Sequence, residues 1–221
     1  MAFSSIRRTT LSAVAVFLAP LLSAANVDLD FSPVTTTAVL GDVVEVRLIA
    51  RSDNAAAECM QAMAMIIEWD ATTLEFVEAT QDDADFTWLT SGFLNDPDGI
   101  NDDLLDGNIK FSALASPGGP FADVPPEGFV ITTLRFRAAA VSPGTQIRYL
   151  PSLGQFGQTI VFGCDGPQQD VTGDISGTAS VVIAGPTPAV SDYGIAAMWL
   201  AILLSGIYVL ARRQRGTESS H

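Results

Sequence analysis

Histidine is nearly missing: the only one, His221, is the last residue of a 221-residue chain. A Ser-His-Asp or Cys-His arrangement and a multi-histidine metal site are therefore excluded from the interior of any fold it adopts. Positive charge is also scarce, with 11 Lys and Arg against 25 Asp and Glu and a formal net charge of -14. A surface of that sign repels nucleic-acid phosphates and anionic membrane surfaces, so neither DNA nor RNA is expected as a partner. Charged residues make up only 16% of the chain while hydrophobic ones reach 48%. That balance fits one ordinary domain plus apolar sequence outside it, rather than two domains. Internal repeats are absent, and low complexity is confined to short turns such as Ser116-Pro117-Gly118-Gly119-Pro120.

What is present at the two ends concerns location. Residues 1–25 carry Arg7 and Arg8, an apolar stretch from Leu11 to Leu22, and the small residues Ser23, Ala24 and Ala25. This is the three-part plan of a signal peptide, with an apolar core too short to span a bilayer, and cleavage after Ala25 makes Asn26 the mature start. Residues 194–211 form a second apolar run without a charge, followed at once by Arg212, Arg213 and Arg215. The run is just long enough for a membrane helix, and the arginines in the tail, 212–221, hold it in the cytoplasm with everything before it outside. Between domain and helix lies a linker, 185–193, with Pro186, Thr187, Pro188, Ser191, Asp192 and Tyr193, running into Gly194. Proline motif, apolar helix and arginine cluster together resemble the PEP-CTERM class of bacterial sorting signals, most closely its IPTL-CTERM variant. Pro186-Thr187 and Ser191-Asp192-Tyr193-Gly194 carry that likeness, while Pro188-Ala189-Val190 lengthens the stretch between them. The resemblance implies a sorting transpeptidase that cuts near the motif in a Gram-negative cell and passes the protein from the inner membrane to the outer envelope surface or extracellular matrix. A plain tail anchor with a proline-rich linker is the alternative.

Residues 26–184 show short alternating runs bounded by Gly, Pro, Asn and Asp, which predict an all-β domain. Val44, Val46, Leu48 and Ala50 alternate after Gly41-Asp42, as do Met63, Met65, Ile67 and Trp69. With Val27, Leu29 and Phe31, and runs at Leu74 to Ala79, Asn108 to Ala115, Phe129 to Ala138, Thr145 to Leu150, Gln158 to Phe162 and Ile175 to Ile183, about nine strands suit a two-sheet sandwich. Gly41-Asp42 before a valine-rich strand, then Trp69-Asp70 leading into Leu74-Glu75-Phe76-Val77, then Ile131 to Ala138, resemble a cohesin domain in order. That resemblance implies a jelly-roll sandwich, in the broad superfamily of some carbohydrate-binding modules, acting by protein or glycan adhesion. Where the family has a proline after the turn aspartate this chain has Ala71.

Cys59 and Cys164 are the only cysteines, and in an exported chain a pair is most simply a disulfide, the alternative being two buried thiols. The stretch from Asp82 to Gly107 is rich in aspartate. Asp96, Asp98, Asp102, Asp103 and Asp106 are candidate ligands for Ca²⁺, a cation that takes oxygen donors, although the EF-hand register fails and a solvated acidic loop is the favoured reading. No other cofactor is indicated. Phe86, Trp88, Phe93 and Phe121 fall in loops, where rings either stack on sugars or insert into a partner, or else cap the core. Glu68, Glu75, Glu78 and the loop aspartates are the carboxylates a glycosidase pair would draw on, but beyond two loops large cleft-forming insertions are lacking. The expectation is a non-catalytic adhesion module for a surface or matrix protein, with polysaccharide binding as the alternative.

Overall fold

The computed structural model describes residues 26–95, 97–166, 169–186 and 199–204. The strands are β1 (Val27–Ser32), β2 (Thr35–Val39), β3 (Val43–Ser52), β4 (Glu58–Met60), β5 (Ala62–Trp69), β6 (Leu74–Thr80), β7 (Thr90–Gly92) and β8 (Asn108–Leu114). They continue as β9 (Ala122–Val124), β10 (Phe129–Ala138), β11 (Ser142–Leu150), β12 (Ser152–Leu153), β13 (Gly157–Gln158), β14 (Ile160–Phe162) and β15 (Thr178–Ala184). Sheet A has the order β1-β3-β10-β6, and sheet B the order β2-β15-β11-β5-β8-β7, with β14 also paired to β5.

The expected strands recur with two revisions. Gln158 to Phe162 is broken at Thr159, whose hydroxyl accepts from the Ile66 amide (3.0 Å) and donates to the Leu150 carbonyl (2.5 Å). The run expected from Ile175 begins at Thr178, because the segment before it lies along β1 instead: Val27 donates to Val171 (2.7 Å) and Leu29 to Asp174 (2.8 Å). Short elements such as β2, β4, β7 and β9 were not anticipated, since three to five residues carry too little alternation. Of these, β2 pairs in parallel with β15, Thr35 facing Ser180 and Val39 facing Ala184.

Alternation explains the core. On β1, β3, β5 and β8 every second side chain points between the sheets, and Leu29, Val46, Met65, Ile67 and Phe111 are at most 1% exposed. Trp69 meets Phe136 edge-on at 5.3 Å, and Phe31 stacks on Tyr149 at 4.3 Å. The polar tips are satisfied: the Trp69 indole donates to the Leu74 carbonyl (2.9 Å) and the Tyr149 hydroxyl to the Asp30 carbonyl (3.0 Å). Burial, and secondarily the Asp30 carboxylate, push the Tyr149 hydroxyl well above its ordinary pKa, so it stays a neutral donor.

Cys59 on β4 and Cys164 beyond β14 form a disulfide, Cα to Cα 5.6 Å, closing a sequence separation of 105. The cross-link ties β4, which pairs with β9, to the chain that leaves sheet B. The signal peptide, the residues from Thr187 to Gly194, and Arg212, Arg213 and Arg215 lie outside the described residues, while Pro186 closes the described domain. Residues 199–204, within the expected membrane segment, are helical with Trp199, Leu200 and Leu203 exposed; no helix among the described residues is long and apolar enough to cross a membrane.

Candidate binding surfaces

The outer face of sheet A is an ion-pair lattice set by strand register. Arg135 on β10 stands opposite Glu45 on β3 and Glu78 on β6, and its guanidinium reaches both, at 3.0 and 2.8 Å. These two carboxylates, Glu78 first, raise the Arg135 pKa further. Arg137 meets Glu75 (3.2 Å), Arg47 meets Asp83 (3.1 Å) and Arg51 meets Asp30 (3.3 Å). Arg51 also donates to the Glu127 carbonyl. Four of the domain's six bases are thus spent neutralising neighbours on one face. The three glutamates considered for hydrolysis are engaged likewise, since Glu68 pairs with Arg148 at 2.5 Å on the other sheet. None of those three glutamates is left as an unpaired acid or nucleophile for an acid–base pair.

The outer face of sheet B divides into a covered and a bare half. Strand β5 has two successive partners on one edge, β14 beside Ala62 to Ala64 and β11 beside Ile66 to Trp69. The chain between those partners, β12 to β13, leaves the sheet plane and folds over its outer side. Ile66 faces outward by alternation yet is 0% exposed. Gly157 lies close above it, and a Cβ there would press into the Leu153 carbonyl and the Ile100 side chain, so only glycine permits the approach. Asp98 holds the tip down by accepting from the amides of Phe156 (2.5 Å) and Gly157 (2.7 Å). Those donors, Phe156 foremost, lower the Asp98 pKa and keep it ionised. Asn101 completes the cover, donating to Leu94 and Lys110 carbonyls at 2.7 and 2.9 Å while accepting from the Lys110 amide at 2.8 Å.

The described aspartates of the acidic loop are engaged within the loop and its neighbours. Asp98 clamps the hairpin, Asp103 accepts from Leu105 (2.9 Å), and Asp106 accepts from Asn108 (3.1 Å). The Asp102 amide closes a turn onto Gly99 (3.0 Å), and Asp96 lies outside the described residues. Among the described residues no group of three or more acidic, Cys or His side chains converges on a point that could hold a metal ion. Aspartate is abundant here because its short carboxylate caps the amide two residues on in tight turns.

Of the two readings of the loop aromatics, the described contacts match core capping. Trp88 is 8% exposed and meets Phe86 at 4.8 Å, while Phe93 packs edge-on against Phe76 (5.3 Å) and Phe111 (5.9 Å). Phe86, Phe93 and Phe121 are half-buried on the core, so these rings seal the sandwich and present no open platform. Within the sandwich an open ring is Phe156, at 60% exposure, which is not among the sequence-based candidates. Its signal in the sequence is an aromatic between Gly154 and Gly157, a turn setting that leaves no core to join.

The bare half consists of β2, β15 and β11. Rows of small or uncharged side chains cross it, Gln146 beside Ser180 beside Thr35, then Val182 beside Thr37, with Arg148 beside Thr178 as its one charged member. At its border with β5 an open depression of about 450 Å³ is lined by Glu68, Trp69, Asp70, Gly144, Thr145, Gln146 and Arg148. Asp70 there accepts from the Thr72 hydroxyl (2.6 Å) and amide (2.9 Å), which lowers its pKa and commits it to the turn. Shape and composition offer a flat surface with little desolvation cost rather than a reaction centre.

No protein-family model matches the chain, and no curated protein matches it. Solved structures do. The seventh ScaB type I cohesin of Pseudobacteroides cellulosolvens aligns with TM-score 0.53 at 16% identity, covering 75% of this chain and 95% of its own. A type I cohesin–dockerin complex of Clostridium thermocellum gives 0.52 at 15% identity, covering 72% and 99%. The sixth cohesin of scaffoldin B from Acetivibrio cellulolyticus, in complex with a Cel5 dockerin, gives 0.50 at 16%, covering 72% and 99%. At such identities the likeness is one of architecture, and nearly the whole of each cohesin finds its counterpart in residues of this chain. The sandwich between the two terminal segments has a cohesin-like fold.

Proposed function

We propose that the chain is an exported, non-catalytic binding module that takes a protein partner on the bare half of sheet B. The observation carrying this reading is the asymmetry of the two outer faces. Sheet A answers its own charges pair by pair, whereas on β2, β15 and β11 the one ion pair among the described residues, Arg148 with Glu68, stands at the β5 border and the rest of the face presents small uncharged side chains that a partner covers at little cost. Two of the cohesins of like fold are held in complexes with dockerins, which supports protein over glycan as the class of partner. Export is supported by the disulfide, a cross-link that persists in oxidising compartments. In this reading the segment from Pro186 onward, the apolar run 194–211 and the arginines form a sorting signal, and a transpeptidase delivers the domain to the outer envelope surface or matrix. The glycan alternative has one feature in its favour, the exposed ring of Phe156. Binding of the purified chain to envelope proteins and to extracted exopolysaccharide, each with Gln146→Arg and Ser180→Arg variants, separates the two. Protein capture abolished by these variants is the expected result. Polysaccharide binding that survives them and disappears with Phe156→Ala refutes the protein reading.

A further inference from the structure

The strand ends at which the domain hands over to its tail carry a patch of apolar side chains. β15 finishes at Ala184, flanked by the end of β2 on one side and the start of β11 on the other. Val39 stands opposite Ala184, and Val141 precedes Ser142, which stands opposite Ile183. The turn between β2 and β3 is fastened to the same place. Leu40 donates to Ala184 (3.0 Å), Gly41 to Ala138 (2.8 Å), and Ala138 back to Asp42 (2.9 Å). Gly41 takes φ 94° so that this turn can close. Four side chains are thereby left in the open on one rim: Val39 at 43%, Leu40 at 41%, Val43 at 53% and Val141 at 60% exposure. Scattered single apolar residues on a surface need no explanation, but a contiguous group does.

We infer that this rim rests in the interfacial layer of the bilayer that the apolar run 194–211 enters, so that the domain stands on the membrane tail-side down. The inference rests on the sorting reading proposed above and applies to the chain while the run 194–211 is still attached, before a transpeptidase cuts near the motif. Chain length selects lipid as the occupant. Only the linker 185–193 separates β15 from the apolar run, a length of chain that reaches at most about 30 Å. The opposite end of the domain lies about 30 Å further off, the length of the ten-residue strand β3. Of the whole domain, therefore, the rim is the part held next to the bilayer. Charge acts in the same direction. The far end gathers Asp53, Glu58 and Asp165, which repel an anionic surface; burial, then Asp165 and Asp53, raise the Glu58 pKa. At the tail end the Asp42 carboxylate accepts from the Val39 amide (3.0 Å) and Arg137 pairs with Glu75 (3.2 Å), and among the described residues no unpaired base there offers an attraction to anionic lipid, so docking rests on the apolar side chains.

The test uses the full chain in phosphatidylcholine vesicles, with one added cysteine labelled by a fluorophore at Leu40→Cys, Val43→Cys or Val141→Cys, and at Glu127→Cys on the far end. Flotation with the vesicles reports the tail, and iodide quenching reports the rim. Labels at 40, 43 and 141 are expected to be quenched several-fold less than the label at 127, and quenched instead by lipids carrying a nitroxide. Adding Leu40→Glu and Val141→Glu should return the label at 43 to the level of the label at 127, without altering flotation. Vesicle-bound chains whose rim labels are quenched as fully as the far label overturn the inference while leaving the anchor in place. Failure to float overturns both. Protection that grows with the protein-to-lipid ratio assigns the rim to a second copy of the chain and likewise overturns it.

Discussion

The outer faces of sheets A and B are built from strands of similar length, yet one is complete in itself and the other is not. On sheet A, register places an acid on each side of Arg135 and one beside Arg137, and the face closes into pairs at half exposure. On sheet B the same alternation puts Ile66 outside, where a bare isoleucine would waste its apolar surface. The chain covers it with β12, β13 and the aspartate-rich loop but leaves β2, β15 and β11 open. One face is finished by charge pairing and half of the other by a cover, and it is the remaining half that the proposed function assigns to a partner.

The largest effect expected bears on what holds the covered half together. Replacing both Cys59 and Cys164 by alanine should cost about 2–5 kcal/mol in denaturant unfolding, the range for losing a native cross-link that closes a long loop. A loss under about 1 kcal/mol would mean that the β4 and β14 regions are fixed by packing alone. Next comes the cover. Ile66→Ala should cost about 2–5 kcal/mol, as for a core isoleucine, whereas Gln146→Ala on the bare half of the same sheet should stay within about 0.5 kcal/mol. Equal small losses would erase the distinction between the halves.

A smaller effect tests the clamp. The Asp98 carboxylate is held below its ordinary pKa in the fold by the Phe156 and Gly157 amides. Its stabilisation is therefore present above the unfolded value, about 3.9, and is lost as pH falls through the lower folded value. Asp98→Asn should be less stable than the parent at pH 7, with the gap closing below about pH 4, and amide exchange at Phe156 and Gly157 should accelerate. A pH-independent gap would place the role of Asp98 in shape rather than charge. The smallest effect belongs to sheet A. Arg135→Ala should move the melting midpoint by no more than about 2 °C, and by less in high salt, because exposed pairs are screened.

Legibility of the fold followed alternation. Val27, Leu29 and Phe31, or Met63, Met65 and Ile67, announce an inward face because neighbouring strands bury every second residue. Nothing in Thr35-Thr36-Thr37-Ala38-Val39 announces β2, whose existence depends on a parallel partner far along the chain at β15. The even pair of cysteines pointed to the cross-link that forms. Loop residues were harder, because one residue type serves several ends. Aspartates that cap turns look like aspartates that bind cations, and a ring in a loop such as Trp88 seals the core as readily as it meets a ligand. Phe156 went unnoticed because its hairpin exists only where β5 exchanges one partner for another. The motif from Thr187 onward and the apolar run 194–211 carry their meaning in the sequence, and their order along the chain is what the export reading uses.

Photo-crosslinking in the producing bacterium tests the central claim most directly. A photoreactive residue at Gln146 or Val182 on the bare half of sheet B is to be compared with one at Glu45 or Arg137 on sheet A. The account predicts a discrete protein adduct from positions 146 and 182 and none from 45 and 137; adducts from sheet A alone, or equally from both faces, would contradict it.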